Sequence, residues 1–162
     1  MSRVLAVYGE KGGVGKSALS AGLVAAARRR KLDVIAGDLD PRGTFTAELG
    51  ISADEAPAFS MNDLLALDPQ GETGLAADAF APASEAWSGV QVIAAERALA
   101  NREADNVAVG LEFRLRLGLK GVVKEGTVAI LDLPPRAGGK LVTSALVAAT
   151  DVVIPATLDE DG

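Results

Sequence analysis

The segment Lys11-Gly12-Gly13-Val14-Gly15-Lys16-Ser17 gathers residue types suited to holding a polyanion. Glycines carry no Cβ, so the backbone can curl until successive N–H groups face one anionic ligand. A short apolar run precedes the segment and a helical pattern follows it. The free N–H groups and positive dipole end of that helix would then point at the same spot. A lysine at position 16 would reach the β- and γ-phosphates of a nucleoside triphosphate, and the Ser17 hydroxyl would bind Mg²⁺. Two acidic segments could serve the same ligand. In Asp38-Leu39-Asp40-Pro41 strand alternation puts both carboxylates on one side, which suits metal and water handling beside a triphosphate. Alone, that segment is as readily a turn rich in Asp, Pro and Gly. In Val128-Ala129-Ile130-Leu131-Asp132-Leu133-Pro134-Pro135 an aliphatic strand ends in a carboxylate able to hold Mg²⁺ through water.

The elements that must position these residues alternate between strand and helix. Val4–Tyr8 reads as a strand, and 17–30 as a helix with Leu19, Leu23, Val24 and Ala27 on one face. Arg28 to Lys31 close that helix where cations favour its dipole, as a solvated end more than a DNA contact. Asp33–Ala36 is a second strand. Residues 60–67 suggest a short helix with Ser60 as N-cap, and 68–88 a surface segment with room for one helical turn. Val90–Ala94 is a third strand. A helix is expected over 101–119 from the spacing of Val107, Leu111, Leu115 and Leu119, although Gly110 and Gly118 weaken it. Thr127–Leu133 is a fourth strand, 140–149 a helix, and Val152–Ile154 a fifth strand. Trp87 is expected to cover an edge, and Arg114, Arg116, Lys120 and Lys124 could form a basic strip. The pattern predicts an α/β fold, a mostly parallel sheet with helices on both faces. Ligands of such sheets sit at the carboxyl ends of the strands, where all three chemistry-bearing segments would converge.

Composition narrows the chemistry. The chain has 162 residues, no Cys and no His. Disulfides, thiolate or imidazole metal ligands, cysteine nucleophiles and Ser-His-Asp catalysis are therefore excluded. With 49% apolar residues and only 4% aromatic ones, it should fold around an aliphatic core. A net charge of −6 argues against DNA binding by the whole surface and leaves room for a local basic patch. No apolar run reaches the roughly 18 residues of a membrane span, and the N-terminus reads as a strand, so a cytoplasmic protein is expected.

The string KGGVGKS resembles the deviant P-loop of the ParA/MinD family of ATPases, which carries a lysine just before its glycine pair. The resemblance implies the P-loop NTPase fold, with ATP and Mg²⁺ as cofactors. Lys11, Gly12, Gly13, Val14, Gly15, Lys16, Ser17 and Ala18 would bind the nucleotide. By the same resemblance Lys11 crosses a dimer interface to the partner's nucleotide. DLDP is similar to the family's DxDP switch, which gives Asp38 a place near the Mg²⁺ shell and makes Asp40 the residue that positions the attacking water. DLPP is similar to the family's DxPP segment, placing Asp132 with Ser17 at the metal. Lys16, Asp40 and Lys11 become the catalytic candidates. The family often has Gln after the DxDP proline, where this chain has Arg42. The implied activity is a ParA-like ATPase, a slow, Mg-ATP-dependent dimerisation switch for plasmid or chromosome partitioning. It would be a homodimer acting with nonspecific DNA and a centromere-binding adaptor, associated with the nucleoid if it binds DNA. Residues 1–162 are expected to form a single ATPase domain that is incomplete at its C-terminus. A MinD-like division-site ATPase and a non-catalytic nucleotide-binding module or inactive fragment remain open.

Overall fold

The computed structural model describes residues 2–52, 57–106 and 109–156. Six strands, β1 (Arg3–Val7), β2 (Asp33–Asp38), β3 (Phe80–Pro82), β4 (Val90–Ile93), β5 (Thr127–Asp132) and β6 (Asp151–Val153), join in one sheet. The order is β3-β4-β2-β5-β1-β6. All pairs are parallel except β3 with β4. The helices are α1 (Lys16–Arg29), α2 (Thr44–Glu48), α3 (Met61–Ala66), α4 (Asn101–Ala104), α5 (Leu111–Leu119) and α6 (Lys140–Ala148).

Alternation along the central strands feeds two aliphatic cores. Ile35 of β2 and Ala129 and Leu131 of β5 pack under α3, α5 and α6 with Leu64, Leu115, Leu119 and Leu141. Val34, Ala36, Val128 and Ile130 face the other way and pack with Ala21, Val24 and Ala27 of α1 and Phe45 of α2. A strand covered on both faces reads as a continuous apolar run, which is why β2, β4 and β5 stand out in the sequence. Gly37 marks a close approach on the first face. A Cβ there would lie 2.8 Å from Leu131 Cδ2 and 3.2 Å from Met61 Cε.

The short helix α3 begins as expected. Ser60 accepts from Asn62 N through its hydroxyl, and the Asp63 carboxylate accepts from Ser60 N at 2.8 Å, closing a capping box. Other expectations need correction. The helix expected over 101–119 is two helices: α4 stops at Ala104, and α5 starts after Gly110, whose φ of 70° is left-handed. Leu111, Leu115 and Leu119 are buried as expected, while Val107 lies outside the described residues. The segment 68–88 is more than surface. Its 3₁₀ turn Leu75–Ala79 buries Ala76 and Ala79, and Phe80–Pro82 adds the antiparallel edge strand. Arg114 does not belong to a basic strip. It is 6% exposed, and its Nη1 donates to the carbonyls of Leu65 and Ala66, so it closes the C-terminal end of α3. Trp87 packs half-buried on the core beside α1 and α2. Its Nε1 donates to Glu48 O at 2.9 Å, and the Arg28 guanidinium carbon lies 6.0 Å from its ring centre.

Candidate functional site

The glycine-rich loop leaves the carboxyl end of β1 and delivers the chain into α1. Gly13 and Gly15 have φ of 77° and 80°, where a side chain would strain the backbone. A Cβ at Gly12, Gly13 or Gly15 would meet nothing within 4 Å, so the loop borders open space. The first turn of α1 has neither a side-chain cap nor an acidic residue. Its free N–H groups and dipole therefore favour an external anion. Lys16 adds a cation there. It is only 7% exposed, and its Nζ donates to Lys11 O at 3.1 Å. The Lys11 side chain is exposed, Val14 is half-buried, and Ala18 is exposed on the first turn. A cradle of open backbone with a buried ammonium fits a polyphosphate.

Beside this cradle, register brings the acidic groups together. Asp132, the last residue of β5, pairs with Val7 on one side and Asp38 on the other. Its Oδ2 accepts from Ser17 Oγ and its Oδ1 from Ser20 Oγ, each at 2.7 Å. Burial pushes the Asp132 carboxyl above its ordinary value, against the lowering effect of the two hydroxyls. Ser17 and Asp132 offer hard oxygen donors of the kind Mg²⁺ takes alongside phosphate and water. Among the described residues no three acidic side chains form a self-sufficient cation cage. With the Ser17 and Asp132 oxygens beside the open glycine loop, the residues present fit the group.

The segment after β2 departs from simple alternation. The strand ends at Asp38, and the two carboxylates take separate partners. Asp38, with 0% exposure, accepts from Asp40 N at 2.9 Å, and from Thr46 N and Thr46 Oγ1 at 2.8 Å each. Thr46 Oγ1 in turn accepts from Ala95 N at 3.0 Å. Asp38 thereby folds the turn and hangs α2 from the end of the strand. Burial pushes its carboxyl up to about 7 despite these three donors. Asp40 is 4% exposed. It takes a fork from Arg42, with Nε at 3.1 and 3.0 Å from its two oxygens and Nη2 at 2.6 Å from Oδ2.

Gly12 to Ser17, Asp38, Asp40 and Asp132 thus meet at one edge of the sheet, the carboxyl ends of β1, β2 and β5. Sequence reasoning misses three participants. Ser20 stands one helical turn after Ser17, the only hint of its place on Asp132. Arg42 reads in the sequence as a departure from a motif and not as the partner of Asp40. Glu103 has no local signal: from α4 its Oε2 accepts from Lys140 N at 2.8 Å, capping α6 after the DLPP segment.

Residues 2–161 match the family model described as an AAA domain, AAA_31. The chain is 33% identical to the chromosome partitioning protein ParA of Myxococcus xanthus, covering 96% of this chain and 52% of that protein. It is 31% identical to the sporulation initiation inhibitor protein Soj of Bacillus subtilis, covering 96% of this chain and 58% of Soj. The chain therefore spans a little over half the length of these relatives. A structure of cobyrinic acid a,c-diamide synthase from Mycobacterium smegmatis, with bound ATP analogue and magnesium, superposes with a TM-score of 0.81 at 34% identity. That match covers 96% of this chain and 60% of the synthase. With the P-loop NTPase fold, the glycine cradle and the matching family model in agreement, the chain belongs to the ParA/MinD family of P-loop ATPases.

Proposed function

We propose that the chain binds Mg-ATP at Gly12 to Ala18 and works as a ParA-like switch, dimerising on ATP and releasing on slow hydrolysis. The observation that carries this reading is the 2.7 Å bond from Ser17 Oγ to Asp132 Oδ2 at the mouth of an open glycine loop holding a buried lysine. Ser17 and Asp132 would hold the cation, with Asp38 behind them. When bound, Mg²⁺ supplies charge neutralisation at the phosphates. The protein's own groups do the rest. The N–H groups of the loop and the first turn of α1 bind the phosphate oxygens, and Lys16 offsets the charge that builds up as the terminal phosphoryl leaves. Asp40 orients the attacking water in line. Lys11, exposed on the rim, is free to reach a second copy.

Partitioning as the biological task, with DNA and a centromere-binding adaptor as partners, extends the reading by likeness to ParA and Soj. Among the described residues no helix is long and apolar enough to cross a membrane. The test is Mg²⁺-dependent ATP binding and turnover by wild type, Lys16→Ala and Asp40→Ala, with light scattering for mass. Wild type should bind, dimerise and hydrolyse slowly. Lys16→Ala should lose binding, and Asp40→Ala should bind without turnover. A wild-type chain that binds no nucleotide refutes the proposal.

A further inference from the structure

We propose that Arg42 is a built-in restraint on turnover: its forked ion pair holds Asp40 away from the attacking water until the guanidinium moves aside. This rests on the role given to Asp40 above and adds a regulator to that site. An ionised carboxylate only accepts hydrogen bonds, at about four lone-pair positions. Arg42 engages both oxygens, through Nε and Nη2, and its backbone N donates to Oδ1 at 3.0 Å. The fork is planar, so it fixes the plane of the carboxylate as well as filling it. A water to be oriented by Asp40 must displace one of these donors.

The pair is asymmetric in a way that identifies the moving part. The Asp40 side chain is 6% exposed and that of Arg42 is 65% exposed. Asp40 is held in the turn that Asp38 organises, whereas Arg42 stands at the rim of a cleft of about 530 Å³ between α2 and the segment after β4. The guanidinium can swing into that cleft without disturbing the core. Glutamine at 42 would keep the backbone N–H on Asp40 while losing both the charge and the fork. Lysine would keep the charge as a point and lose the fork.

The experiment measures kcat, KM and Mg-ATP affinity for wild type, Arg42→Gln and Arg42→Lys, with Asp40→Asn and Asp40→Asn/Arg42→Gln completing a double-mutant cycle. Relief of an ion pair whose cation is exposed should raise kcat about two- to fivefold in Arg42→Gln. Nucleotide affinity should be unchanged, and Arg42→Lys should fall between the two. In the Asp40→Asn background the gain should vanish. An Arg42→Gln chain with unchanged or lower kcat overturns the restraint and leaves the ATPase reading standing, as does a gain that survives Asp40→Asn. Nucleotide binding without turnover in every chain instead overturns hydrolysis itself, and the restraint with it.

Discussion

Replacing Asp38 by asparagine separates two opposing demands that the structure makes of one side chain. Burial raises the Asp38 carboxyl from 3.8 to about 7, while Thr46 and Asp40 donate three bonds that favour its charge. Between those two values the folded chain keeps a proton that the unfolded chain has lost. The unfolded state then binds fewer protons, so stability falls as pH rises through this window and levels off above it. From about pH 5.5 to about pH 8, a group with a folded value near 7 accounts for a loss of about 2 kcal/mol. The amide of the Asp38→Asn variant does not titrate, while Asp132, which burial shifts in the same direction, still contributes to the slope of both chains. Its oxygen can still serve Thr46, but its NH₂ then faces the Asp40 N–H, a lost bond worth about 1 kcal/mol. The assay is urea denaturation followed by far-ultraviolet circular dichroism across this range in metal-free buffer. Wild type should be the more stable by about 1 kcal/mol at the acidic end, and the difference should move by about 2 kcal/mol in favour of the variant toward pH 8, so that the order reverses. A wild-type advantage that is constant, or that widens as pH rises, refutes the reasoning. The three donors would then outweigh burial and keep Asp38 ionised throughout.

Two further substitutions test the scaffold. Arg114→Met should cost about 2–3 kcal/mol in urea denaturation, because the carbonyls of Leu65 and Ala66 lose a charged donor in a buried place; nucleotide affinity should stay as in wild type. Gly37→Ala should cost about 1–3 kcal/mol in thermal or urea unfolding, since its methyl would press on Leu131 Cδ2 at 2.8 Å.

The parallel core of the fold is legible because its strands are aliphatic runs buried on both faces, and because each of three strands empties into a segment of unusual chemistry. The five parallel strands match the expected ones to within one or two residues. What escapes is set by distant partners. β3 has three residues and ends in Pro82, and only its pairing with β4 makes it a strand. The five-residue α2 has no apolar periodicity of its own, and the Asp38 carboxylate anchors it at Thr46. Arg114 looks like any surface arginine until the end of α3 is laid against it. The split between α4 and α5 has its signal in Gly110, whose weak helix propensity is masked by the leucine repeat beyond it. At the site, residue types and spacing point to the cradle and its carboxylates, but no local pattern says that Ser20 shares Asp132 or that Arg42 grips Asp40.

The chain has a single tryptophan, and its position gives the protein an optical reporter of its own. The Trp87 indole donates to Glu48 O, the last residue of α2, and lies under Arg28. α2 hangs by Thr46 from the same Asp38 that shapes the turn beside the phosphate cradle. A shift of that turn that carries α2 with it would change the indole's hydrogen bond and its distance from the guanidinium, and with them its emission. Nucleotide engagement at one end of α2 would then be readable as unlabelled fluorescence at the other, in real time and with the native sequence intact.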